Sequence, residues 1–142
     1  MWKVNIMKKI LCFVILSSFL LTACGESDGS RGPEQISTPA PVPEEYAGKT
    51  NPSGSDAAHE GAEIFRTNCE TCHGPQGHGD GPAGQALDPR PKDLAALQRL
   101  ASDDYLFWRI STGKQGTSMV AWKGILAEEQ IWQVISFMRT LR

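Results

Sequence analysis

The pattern of apolar and polar positions changes character twice along the chain, and the changes divide it into three parts. The first part is an apolar run from Ile10 to Leu21, broken only by Ser17 and Ser18 and preceded by Lys3, Lys8 and Lys9. A helix that crosses a membrane wants about 20 apolar residues, so this shorter run behind a basic start predicts a signal peptide over residues 1–23. From Gly25 to Gly54 there is scarcely any large apolar residue, and Pro33, Pro39, Pro41, Pro43 and Pro52 are spread among glycine, serine and glutamate. Such a segment cannot bury enough surface to fold alone. It predicts a tether over residues 24–54, spanning roughly 30 Å as a coil and up to about 90 Å in extended polyproline form.

Helical spacing begins only after residue 55. Ser55 and Asp56 can cap a helix through about Asn68, with Ala58, Ala62 and Phe65 on one face. Gly61 is the odd residue in it, costing about 1 kcal/mol against alanine, and a glycine kept inside a helix predicts a close crossing with another. Gly74 to Lys92, dense in Gly and Pro, reads as loop. Asp93 to Leu100 predicts a short helix. Ser102 can cap another through about Ser111, closed by Gly113 and followed by a loop to Ala121. The last helix, from about Ala127 to Leu141, sets Ile131, Val134, Ile135, Met138 and Leu141 at helical spacing. No run alternates as a strand would. The fold class predicted for residues 55–142 is all-α, with several helices and long loops that need something to organise them.

Composition narrows what that something is. A domain of about 88 residues usually needs a staple such as disulfides, a metal or a covalent cofactor. Of four cysteines, Cys12 lies in the apolar leader, Cys24 ends it, and Cys69 and Cys72 form a pair followed directly by His73. No second pair exists from which to build a disulfide framework. Three of the 14 lysines and arginines lie in the leader, while all 16 aspartates and glutamates come after it, so the chain from Cys24 onward carries a net charge of −5. That balance excludes the concentrated basic face of a nucleic-acid binder.

Cys69, Glu70, Thr71, Cys72, His73 has the spacing of c-type haem attachment. Two thiols three residues apart at the end of a helix can reach the two vinyl groups of one porphyrin, and the next residue can then point its imidazole at the iron. Zinc would want four well-separated ligands, and His73 beside Cys72 is badly placed to share a tetrahedron with it. A redox dithiol wants a βαβ context that this pattern lacks. The iron needs a sixth ligand from the opposite face. Met138 falls on the apolar stripe of the last helix, whereas Met119 sits in a loop after Gly113, Gly116, Thr117 and Ser118, 46 residues beyond His73, with no packing stripe to explain it. Met119 is therefore the expected ligand. His78 follows His73 too closely to reach the far face, and His59 reads as a surface residue.

With these residues in hand, residues 55–142 resemble a class I cytochrome c domain, mono-haem and His/Met-ligated. The resemblance implies one covalently attached haem c per chain and one-electron transfer between donor and acceptor redox proteins, with no small-molecule substrate. It implies that the last helix crosses the first at Gly61, with Trp132 or Phe137 as aromatic partner of Phe65. It also implies that a proline-loop carbonyl accepts the Nδ1 hydrogen of His73, with Pro82, Pro89 and Pro91 as candidates. His78 to Gly84 resembles the loop below the haem in many bacterial members. The chain departs from the pattern at Val120, where many members have proline, and at Ala127, where Ser or Thr would cap the last helix. Leu21, Thr22, Ala23 and Cys24 resemble the lipobox of bacterial lipoproteins, which implies export, lipidation of Cys24 and attachment to a bacterial membrane with the haem domain on the periplasmic or extracytoplasmic side.

If His73 and Met119 fill both axial positions, the iron has no open site, and electron transfer is favoured over chemistry on oxygen, peroxide or nitrite. Trp108, Trp122 and Phe107 are expected around the porphyrin; Lys114, Lys123 and Arg109 are candidates for its exposed edge, but a solvated face is the better reading for each. The expected function is a membrane-tethered one-electron carrier. The alternative is a fixed cytochrome subunit of a membrane redox complex. A peroxidase or dehydrogenase fragment would need a second haem motif, an open iron or a catalytic cluster, and none is present.

Overall fold

The computed structural model describes residues 38–142. The signal peptide, Cys24 and the first part of the tether lie outside the described residues. Within them the fold is all-α: α1 (Ala58–Asn68), α2 (Glu70–His73), α3 (Leu94–Leu97), α4 (Asp103–Thr112) and α5 (Glu128–Met138), with single 3₁₀ turns at Ser55–Ala57 and Gly84–Ala86. Among the described residues the nearest approach to a β-ladder is one isolated bridge between Lys123 and Leu126, and no helix is long and apolar enough to cross a membrane.

The core is the crossing of α1 with α5. Phe65, Ile131, Val134 and Ile135 are fully buried there, joined by Leu106 and Ile110 of α4. At the crossing, a Cβ on Gly61 would overlap the Gln133 carbonyl oxygen and lie 2.5 Å from its carbonyl carbon. Glycine is thus required by α5 rather than by the conformation of α1. Phe65 meets Phe137, ring centroids 5.1 Å apart and tilted by 52°. Trp132, the other candidate, stacks instead on Phe107 at 4.2 Å and 22°.

Helix ends are closed as the sequence expects in some places and not in others. Asp93 caps α3, its Oδ1 accepting from the Ala96 amide at 2.8 Å, a common N-cap arrangement. Ser102 stands at the start of α4 in extended conformation without capping it; its hydroxyl donates to Asp104. Ala127 cannot cap α5, but the Gln130 side chain reaches back to accept from the Ala127 amide at 2.9 Å, half of a capping box.

The tether expected over residues 24–54 differs from what the structure places at its C-terminal end. Residues 42–54 lie against α4 and α5 as a strap. Tyr46 is buried with its ring 6.2 Å from Phe107. The Gly48 amide donates to Asp104 Oδ2 at 2.8 Å, and the Asn51 amide to Asp103 Oδ2 at 3.2 Å. The Asn51 side chain donates to the Trp132 carbonyl at 3.1 Å and to Ser136 Oγ at 2.8 Å. Composition excluded a core made by this segment alone. It could not exclude one aromatic and one amide finding partners on a surface made elsewhere.

Candidate functional site

The site begins where α1 ends. The Cys69 amide closes α1 on the Phe65 carbonyl at 2.7 Å, and α2 starts at once, with the Cys72 and His73 amides donating to the Cys69 carbonyl at 3.1 and 2.9 Å. One short helical turn therefore holds Cys69, Cys72 and His73. Both thiols are unpaired and half-buried. Burial, and secondarily Cys72 nearby, pushes the Cys69 thiol up to about 12, so it stays protonated at neutral pH and is a poor nucleophile and a poor metal ligand by itself.

His73 is held from behind. Its Nδ1 lies 3.3 Å from the Lys92 carbonyl oxygen, which can only accept, so Nδ1 carries the proton and the lone pair is left on Nε2. Burial lowers the pKa of His73 and the Lys92 carbonyl opposes that; burial is the larger cause, which favours the neutral ring a metal requires. The acceptor is thus none of the three prolines expected, but the residue after Pro91. The Pro91 carbonyl lies so close to Gly79 that it would collide with a Cβ there, and it is the next carbonyl, that of Lys92, that meets His73.

The Met119 loop is tied to the end of α4. Gly113 takes φ +69° there, and any Cβ on it would lie 2.5 Å from the Met119 carbonyl oxygen, a close approach only glycine permits. The Lys114 amide donates to that carbonyl at 3.1 Å, and the Trp122 and Lys123 amides donate to Ile110 and Ser111 carbonyls at 3.0 and 3.1 Å. Thr117 adds its hydroxyl as acceptor for the Met119 amide at 3.2 Å. These bonds stiffen the loop in the place of the missing proline. Met119 is half-buried against the core, whereas Met138 is fully enclosed in it. His59 and His78 are both exposed.

Trp108 and Trp122 are half-buried at the edge of the core with Cys69, Leu97, Tyr105 and Met119. Phe107, expected with them, is committed elsewhere, between Tyr46 and Trp132. Arg109 lies over the Trp108 ring at 3.7 Å and the Tyr105 ring at 5.4 Å. Lys114 and Lys123 are exposed.

The donor set fits a haem of c type. Among the described residues no three or more His, Cys, Asp or Glu side chains form a group that could hold a metal ion; what the turn offers is two unpaired thiols and, beside the second, an imidazole whose Nδ1 faces a backbone carbonyl. Residues 56–138, more than half of the chain, match the family described as Cytochrome C oxidase, cbb3-type, subunit III. The chain belongs to this family of c-type cytochromes. Membership brings haem c and electron transfer.

Two solved structures are similar to this cytochrome. Cytochrome CL from the marine methylotrophic bacterium Methylophaga aminisulfidivorans MPT is 23% identical with a TM-score of 0.47, over 60% of this chain and 55% of its own. A chain of the reducing HAO-like protein complex of Kuenenia stuttgartiensis is 21% identical with a TM-score of 0.53, over 80% of this chain and 53% of its own. The second likeness is one of fold alone. The match spans little more than half the length of either of these proteins.

Proposed function

We propose that this protein is a one-electron carrier in which Cys69 and Cys72 attach a single haem through thioethers, His73 and Met119 take the two axial positions, and lipidated Cys24 ties the domain to a bacterial membrane on its periplasmic side. It catalyses no reaction of its own and passes electrons between a donor and an acceptor protein. The observation that carries this reading is the presentation of Cys69, Cys72 and His73 on one helical turn, with Nδ1 of His73 bonded to the Lys92 carbonyl and Nε2 left to bind a metal. When bound, the haem supplies an iron that accepts and returns one electron.

The residues of the chain do the rest. The Lys92 carbonyl fixes the tautomer of His73 and raises its basicity. Trp108, Trp122 and Met119 add half-buried apolar side chains against the core, and the bonds from Lys114, Thr117 and Trp122 keep the Met119 loop in place with little reorganisation.

A second reading, a fixed subunit of a membrane redox complex, is supported by one observation. Val120 and Ile125, before and after Trp122 in the chain, are 56% and 66% exposed, and large apolar side chains left in water suit a docking face. The description of the matched family, an oxidase subunit, agrees with it. Covalent attachment is tested by haem staining after denaturing electrophoresis: a stained band at the mature mass is expected, and haem extracted by acid acetone refutes it. A native gel of mild-detergent membranes separates the two readings, since free migration at low mass supports the carrier and co-migration with a large complex supports the subunit.

A further inference from the structure

The loop that follows His73, itself closed by a bond from Gly79 back to His73, and the segment that supplies the hydrogen-bond acceptor are fastened together at two adjacent points, one backbone and one side chain. The Leu94 amide donates to the Gly77 carbonyl at 2.6 Å, and the Gly79 amide to the His73 carbonyl at 2.8 Å. Between those two backbone bonds lies a side-chain one: His78 Nδ1 is 3.3 Å from Asp93 Oδ2. Asp93 is adjacent to Lys92, whose carbonyl holds Nδ1 of His73. Its two carboxylate oxygens do separate work, Oδ1 capping α3 at the Ala96 amide and Oδ2 meeting His78. The cap fixes the peptide after Lys92 from one side, and His78 fixes it from the other.

We propose that His78 and Asp93 are positioning residues for the axial histidine: their contact holds the Lys92 carbonyl against His73 Nδ1 and thereby sets the basicity of the imidazole and the redox potential of the haem. This rests on His73 being an axial ligand. Both side chains are 45% exposed, and exposed pairs add little to global stability, so a role in stability alone does not account for an alignment that spans 15 residues and ends beside the acceptor. Loosening the carbonyl weakens the Nδ1 hydrogen bond. The imidazole then donates less to the iron, the ferric state is stabilised less, and the potential rises.

The test is the solvent exchange rate of the His73 Nδ1 proton, read by NMR in the ferrous haem-loaded protein, together with the midpoint potential. His78→Ala should speed exchange about tenfold and raise the potential. Asp93→Asn keeps a residue able to cap α3 but weakens the contact with His78, so it should speed exchange similarly. Members of one contact are not additive, and the double variant should exchange no faster than either single one. His78→Asn places an amide nitrogen where Nδ1 sits, so it should restore both the slow exchange and the wild-type potential. Unchanged exchange in both His78→Ala and Asp93→Asn overturns the proposal, as does faster exchange with an unmoved potential in His78→Ala. If the His73 ring protons of the wild type lack the shift of a ring held over a porphyrin, the ligation reading itself falls, and this is seen before any substitution is made.

Discussion

Replacing Gly61 with alanine sets two effects of opposite sign against each other, and the structure says which one prevails. By helix propensity alone, alanine in the interior of α1 should stabilise by about 1 kcal/mol. The added methyl, however, would lie 2.5 Å from the Gln133 carbonyl carbon and 3.1 Å from Phe137 Cβ. Ordinary contact begins near 3.4 Å, and the obstacle is backbone, which no rotamer change can move. Helices α1 and α5 must therefore separate by roughly 1 Å, and overpacking of this kind costs typically 1–3 kcal/mol and occasionally more. The Phe65 and Phe137 rings beside the crossing lose contact as well. The net expectation is a loss of about 2 kcal/mol, or about 10 °C in Tm for a domain of this size. Denaturant unfolding of the haem-loaded protein, followed by circular dichroism, measures it. Covalent attachment should survive, because Cys69 and Cys72 are untouched. An unchanged or raised stability in Gly61→Ala would show that propensity governs this position and would sink the close-crossing argument.

Met119→Ala should leave the haem attached, remove the methionine-to-ferric-iron charge-transfer band and open the iron to carbon monoxide or cyanide; a retained band with an unshifted potential would move the assignment to Met138 or another group. Tyr46→Ala removes a buried aromatic from the strap and should cost about 2–3 kcal/mol, with protease cleavage appearing between residues 42 and 54; equal protease resistance would mean the strap does not depend on Tyr46. The Asp104 carboxyl is held below its ordinary value, first by the Ser102 hydroxyl and then by the Gly48 amide. A depressed carboxylate stabilises above its unfolded pKa and loses that contribution as pH falls through the folded one, so hydrogen-exchange protection of the Gly48 amide should be present near neutrality, fade in acid, and be absent at all pH values in Asp104→Ala. Under the proposed lipid anchoring, Cys24→Ser leaves no sulfur for the lipid, and membrane association should be lost; unchanged association and mature size would refute the anchor.

The helices were legible because their causes are local. Ile131, Val134, Ile135 and Met138 recur at the helical period, Gly113 stops α4, and the spacing of Cys69, Cys72 and His73 is a property of one turn of chain. The same locality made Gly61 readable as a crossing point, since a glycine that weakens its own helix needs an outside reason. What could not be read were contacts between distant segments, where several residues of equal chemistry compete and only position selects among them. Phe137 rather than Trp132 meets Phe65 because of where α5 lies over α1. The Lys92 carbonyl rather than a proline's reaches His73 because of where residues 91–94 lie against the loop from Gly77 to Gly79. Tyr46 and Asn51 fold down only because α4 and α5 together provide Phe107, Asp103 and Trp132 to receive them. Sequence by itself thus determined the helical elements and the Cys69, Cys72, His73 motif, which depend on spacing along the chain, and tertiary structure decided which partner each side chain meets, because that depends on distances the chain order does not contain.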